Sequence, residues 1–137
     1  MSTANLAPGV DGFRLILHVL AATVWVGGQI TVAGLLPTVR RLGPEAPRAV
    51  ARAFAVVSWP AYAVLLATGI WNVAATQSGQ PQAWKTVLMI KIVVVVLAGL
   101  SAWLHGRAGS VRGRAVWGAA LSLTSVTALC MGVFLAG

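Results

Sequence analysis

Four apolar stretches of membrane-spanning length, separated by short polar segments, limit this 137-residue chain to very few folds. A bilayer core about 30 Å thick requires about 20 helical residues, and each stretch meets that length. Only 9% of the residues are charged and 58% are hydrophobic, whereas soluble domains carry about 25% charged residues. We therefore predict one transmembrane domain over residues 1–137. Its spans are residues 13–36, 53–75, 84–104 and 115–136.

Basic residues are concentrated in the loops after the first and third spans. These loops contain Arg40, Arg41, Arg48, Arg52, Arg107, Arg112 and Arg114, whereas the loop after the second span has only Lys85. Because positively charged loops stay in the cytoplasm, both termini are predicted to lie outside. Short loops favour an all-α, up-down-up-down four-helix bundle. The net charge of +8 is then explained by contact with the lipid bilayer, and we expect no nucleic-acid partner.

Lys91 lies inside the third span, within the apolar run VLMIKIVVVVLAGL from Val87 to Leu100. A charge at such a depth costs about 3 kcal/mol or more, so it usually faces a partner, a cofactor or a water-filled path. We interpret Lys91 as a functional residue. The alternative is that its long stem carries the ammonium group toward the outer headgroups.

His18 and Trp25 lie on one stripe of the first span, because they are seven residues apart. Stripes of polar or small residues turn inward in lipid, and polar residues of the other spans reach a similar depth. The predicted outward-facing pocket brings together His18, Lys91, Asn72, and Thr127 or Met131. For His18 the alternative is a hydrogen bond to a neighbouring helix, and for Met131 it is packing.

Two other residues that could bind metals are interpreted as structural. His105 lies at the cytoplasmic end of the third span, opposite to His18 in this topology. The single cysteine, Cys130, excludes an internal disulfide and a zinc-finger arrangement. The side chain of Cys130 cannot point at the same ion as that of Met131, because adjacent helical residues face different directions.

Three segments resemble the CopD family of copper-resistance membrane proteins. They are RLILHVLAATVWVGGQITV (residues 14–32), TGIWN (residues 68–72) and MIKIVVVVLAGLSAW (residues 89–103). They are similar to that family's histidine followed by a W-x-G-G element, its T-G element and its helix with one embedded lysine. The resemblance implies copper handling or transport across the bacterial cytoplasmic membrane, alongside a periplasmic copper-binding partner. His18 is then the primary copper ligand, Met131 is assigned beside it, and Lys91 sets the ligand preference.

The pattern is also similar to the HemJ-type protoporphyrinogen oxidases, in which a histidine of the first helix can bind haem b. This similarity implies haem b as the alternative cofactor, between His18 and Lys91. Such a pair suits haem and its propionates, whereas a charged lysine repels Cu(I). A third hypothesis is a non-catalytic accessory subunit of a membrane complex, and a homo-oligomer is also compatible with the sequence. No hydrolase or transferase motif is present, so enzymes of those kinds are not expected.

Overall fold

The fold is all-α, as predicted. The structure, a computed structural model, describes residues 9–136, and none of these residues forms a β-strand. The elements are α1 (Gly9–Ala22), a π-helical turn (Thr23–Gly27), α2 (Gly28–Arg41), α3 (Ala46–Thr76), α4 (Gln82–Arg107) and α5 (Val111–Ala136). The first three are continuous, so the described residues contain four long apolar helices. The chain divides into two compact units, the first ending at Thr76 and the second beginning at Gln77.

The four long helices are long and apolar enough to cross a membrane, and the chain is a multi-pass membrane protein. Large apolar side chains are exposed on each of these helices, for example Ile16, Val56, Val93 and Phe134. Such a surface would be costly in water, but lipid tails solvate it. The interior of each unit therefore depends on small residues, aromatic contacts and hydrogen bonds.

The helices extend beyond the predicted spans. The first one continues past Pro37 to Arg41, although the sequence analysis ended the span before that proline. A proline removes one backbone hydrogen bond without necessarily ending a helix. The first long helix has 33 residues, which is longer than a membrane requires. Its last turn, beyond Pro37, carries Arg40 and Arg41.

In the first unit, α3 packs antiparallel to the first long helix. Contacts near the start of α1 reach the end of α3, and contacts near the start of α2 reach the beginning of α3. The turn between the helices contains Gly43, whose φ of 131° favours glycine. A Cβ atom at Gly28 would lie 2.7 Å from Cζ of Phe54, so the glycine permits this close approach.

In the second unit, α4 and α5 form an antiparallel pair that is tied at both ends. The indole nitrogen of Trp84 donates a hydrogen bond to the carbonyl of Leu135, 3.2 Å away. At the other end, Nδ1 of His105 on α4 donates a hydrogen bond to the carbonyl of Arg114 on α5, 2.9 Å away. Ser110 caps α5 by accepting a hydrogen bond from the Gly113 amide at 3.0 Å. The bonds of Trp84 and Ser110 satisfy backbone groups that a helix end leaves without partners.

Candidate functional site

His18 lies on the side of α1 that faces α3, where its ring contacts Thr68. The distance from Nδ1 of His18 to Oγ1 of Thr68 is 2.8 Å. The Thr68 hydroxyl has one proton, which it donates to backbone carbonyls, with the Val64 oxygen at 2.6 Å the closest. The hydroxyl must therefore accept from His18, so Nδ1 of His18 carries the proton. In neutral imidazole the lone pair then lies on Nε2, the arrangement that a metal ligand requires.

The surroundings of His18 are small and partly buried. Thr68 is only 3% exposed, and a Cβ atom added to Gly69 would lie 3.9 Å from Cε1 of His18. The threonine of the T-G element therefore has a physical role, because its hydroxyl accepts a hydrogen bond from the imidazole. The glycine lies beside the ring, where a Cβ atom would be at ordinary van der Waals distance.

Arg14 is a further polar residue of this region, and the sequence analysis did not include it in the predicted pocket. It lies four residues before His18 on α1 and is 4% exposed. Its Nη1 atom lies 2.9 Å from the carboxylate of Asp11, and its guanidinium lies 5.9 Å from the centre of the Trp71 ring. The spacing of four residues from His18 was the signal that could have placed Arg14 on the same face.

Two buried polar atoms near this end of the first unit have no hydrogen-bond partner among residues 9–136. They are Nε of Arg14 and Oδ1 of Asn72. Asn72 follows Thr68 by one helical turn, so it lies on the same side of α3 as the contact with His18. A buried polar atom without a partner costs about 1–3 kcal/mol, which makes this end of the unit suited to a polar ligand.

Trp25 belongs to an aromatic cluster in the same unit. It is 5% exposed and lies in the π-helical turn. Its ring centre is 4.7 Å from that of Tyr62 and 6.0 Å from that of Trp59. Both His18 and Trp25 therefore contact α3, with the aromatic cluster about two helical turns farther along the chain.

Lys91 and Met131 belong to the second unit, where Lys91 lies against α5. A Cβ atom at Gly132 would be 3.0 Å from Nζ of Lys91, so this glycine leaves the space that the ammonium group occupies. Lys91 is half-buried and forms no hydrogen bond or ion pair with residues 9–136. Met131 precedes Gly132 and is also half-buried. The sequence analysis did not identify the role of Gly132.

The other predicted residues have local structural contacts. Nδ1 of His105 donates to the carbonyl of Arg114 at 2.9 Å, which ties the end of α4 to the start of α5. Cys130 is exposed and unpaired. Residues 9–136 contain no cluster of three or more His, Cys, Asp or Glu side chains that could hold a metal ion.

Comparisons of the chain with protein-family models, with curated proteins and with solved structures give no match.

Proposed function

We propose that this chain is a haem b-binding protein of the bacterial cytoplasmic membrane, in which His18 would bind the haem iron. The hydrogen bond from Nδ1 of His18 to Thr68 carries the proposal. Histidines that bind metals usually donate their other ring nitrogen to an oxygen acceptor, which fixes both the tautomer and the ring orientation. When bound, haem would supply one-electron redox chemistry.

The metal-binding side chains available in the first unit favour haem over a copper ion. Residues 1–76 contain one histidine, no cysteine and no methionine besides Met1. Cu(I) prefers several soft donors, which this segment does not provide. Haem iron already has four porphyrin nitrogens, so a single imidazole is enough to hold it.

Copper handling is the second proposal. It is supported by the resemblance of residues 14–32 to the CopD family, with Met131 as the soft donor in the second unit. The implied partner is a periplasmic copper-binding protein. In either proposal Asn72 and Trp25 act as the polar and aromatic surroundings of the ligand, and Lys91 is a candidate functional charge within the second unit.

An absorption spectrum combined with metal analysis of the purified protein tests both proposals. We expect a Soret band in the wild-type protein and its loss in His18→Asn. The asparagine amide keeps a donor for Thr68 but removes the Nε2 lone pair, so loss of haem would not reflect loss of that hydrogen bond. His105→Asn is the matched control, because it keeps a donor near the Arg114 carbonyl, and it should retain haem.

The other outcomes separate the alternatives. Stoichiometric copper without a Soret band would support the copper proposal and overturn haem binding. Absence of both would support an accessory subunit of a membrane complex. A Soret band of full intensity in His18→Asn would remove His18 as the ligand.

A further inference from the structure

We propose that Arg14 recognises a carboxylate of the ligand held by His18, an inference that rests on the proposed haem binding. Arg14 precedes His18 by four residues, which is about one helical turn or 6 Å along α1. The two side chains meet α3 at successive levels, Arg14 at Trp71 and His18 at Thr68. A ligand centred at His18 could therefore extend toward Arg14 along the same interface.

The guanidinium of Arg14 is buried within the first unit, and one of its hydrogen-bond donors has no partner among residues 9–136. Arg14 is 4% exposed, Nη1 pairs with Asp11, and Nε has no hydrogen-bond partner among residues 9–136. Because Asp11 balances the charge, Arg14 would act mainly as an oriented donor. Its geometry suits a carboxylate oxygen, which accepts charge-assisted hydrogen bonds from arginine.

Asn72 lies near the same level of the unit, one turn beyond the Thr68 contact with His18 on α3. Its Oδ1 atom is also buried without a partner, but it is an acceptor that only a hydrogen-bond donor can satisfy. The atom that a carboxylate oxygen can satisfy is therefore the unmatched donor, Nε of Arg14. Lipid tails offer neither a donor nor an acceptor. The two propionates of haem b provide carboxyl groups at one edge of the macrocycle.

This assignment gives Arg14 the role that the sequence analysis gave to Lys91. The lysine was interpreted as the cation near the propionates, because it lies deep inside the third predicted span. Arg14 and His18 share a helix and a packing partner within one unit. A phosphate of an outer-leaflet lipid has similar oxygen chemistry, so the experiment must separate a lipid from the carboxylates of haem.

The experiment compares haem b with its dimethyl ester, in which both propionates are esterified. Each compound is titrated into detergent-purified, haem-free full-length protein, and binding is followed by the Soret band. We expect the wild-type protein to bind haem b about 10-fold to 100-fold more tightly than the ester, because a hydrogen bond to a charged group is lost. The double variant Asp11→Asn/Arg14→Gln removes both partners of the ion pair, and it should bind the two compounds within about twofold of each other.

Each outcome decides the inference. Equal affinities of the wild-type protein for acid and ester would overturn it while leaving haem binding by His18 intact. Equal affinities are also the result expected if a lipid phosphate occupies Arg14. A preference for the acid that survives in the double variant would assign the recognition to another residue. Absence of a Soret band with either compound would overturn the proposed function together with this inference. Should the double variant fail to fold, the wild-type comparison alone still decides whether the carboxylates matter.

Discussion

The hydroxyl of Thr68 has a single proton, and its use determines the chemistry of the histidine beside it. Because that proton goes to a carbonyl of its own helix, with Val64 closest, the oxygen is left as an acceptor for His18. The hydroxyl of a threonine in a helix often donates a hydrogen bond to a backbone carbonyl one turn earlier. Here that local hydrogen bond sets the tautomer of His18, which is fifty positions away in the sequence. The site thus depends on a side chain that need not touch the ligand.

We expect Thr68→Val to weaken haem binding by about 10-fold to 100-fold, the usual effect of removing such an outer partner. Valine keeps the shape of threonine but leaves Nδ1–H of His18 without this acceptor, and the tautomer is no longer fixed. Titration with haem b, followed by the Soret band, measures the change. Thr68→Ser is the matched control and should stay near the wild-type affinity, because it keeps the hydroxyl. Equal affinity of Thr68→Val and wild type would show that this bond does not support the ligand.

At the scale of elements, the π-helical turn separates two parts of the first long helix that make different contacts with α3. The part before it carries His18, and the part after it begins at Gly28, which packs against Phe54. Trp25, inside the turn, contacts the aromatic residues of α3. π-Helical turns occur often at functional sites, and in this unit the turn adjoins the helix that carries the histidine.

Two adjacent glycines after Trp25 are expected to respond differently to alanine. At Gly28 a Cβ atom would lie 2.7 Å from Cζ of Phe54, whereas at Gly27 the nearest atom is Cγ2 of Thr23 at 3.9 Å. Gly28→Ala should therefore destabilise the protein by about 1–3 kcal/mol through overpacking. Gly27→Ala should be neutral or slightly stabilising, because alanine favours helices over glycine.

Thermal unfolding in detergent, followed by circular dichroism, measures both glycine variants under the same conditions. Adding Phe54→Leu to Gly28→Ala should recover part of the lost stability, since the smaller side chain yields space to the new methyl group. Similar unfolding temperatures for the two single alanine variants would contradict the close packing of Gly28 on Phe54.

At the scale of the whole molecule, the sequence could predict the number and length of the apolar helices, but few of the side-chain contacts between them. Four spanning helices follow from apolar length alone, and they are confirmed. Contacts such as His18 with Thr68 depend on how two faces meet, and the π-helical turn breaks the uniform period on which the predicted stripe relied. Arg14 lies inside the predicted first span, and it was missed because its burial depends on how α1 packs against α3. The convergence of Lys91 and Met131 with His18 stays a prediction.

The distribution of arginines predicts which end of the first unit faces outward, and this orientation can be tested in spheroplasts. Cys130 is the one native cysteine, so Cys130→Ser gives a background for single introduced cysteines. Ser78 lies in the loop between α3 and α4, and Glu45 lies in the arginine-rich loop between α2 and α3; both are exposed. We expect a membrane-impermeant maleimide to label Ser78→Cys and to spare Glu45→Cys until the membrane is permeabilised, because positive loops remain inside.

This orientation matters for the ligand as well as for the topology. If the Ser78 loop is outside, then the end of the first unit that carries Arg14 and Asn72 also faces outward, since Asn72 is near the end of α3. Arg14 would then lie nearer to the aqueous exterior than His18, which follows it by one turn of α1. Labelling of Glu45→Cys but not Ser78→Cys in intact spheroplasts would reverse the topology. The end of the first unit that carries Arg14 would then face the cytoplasm.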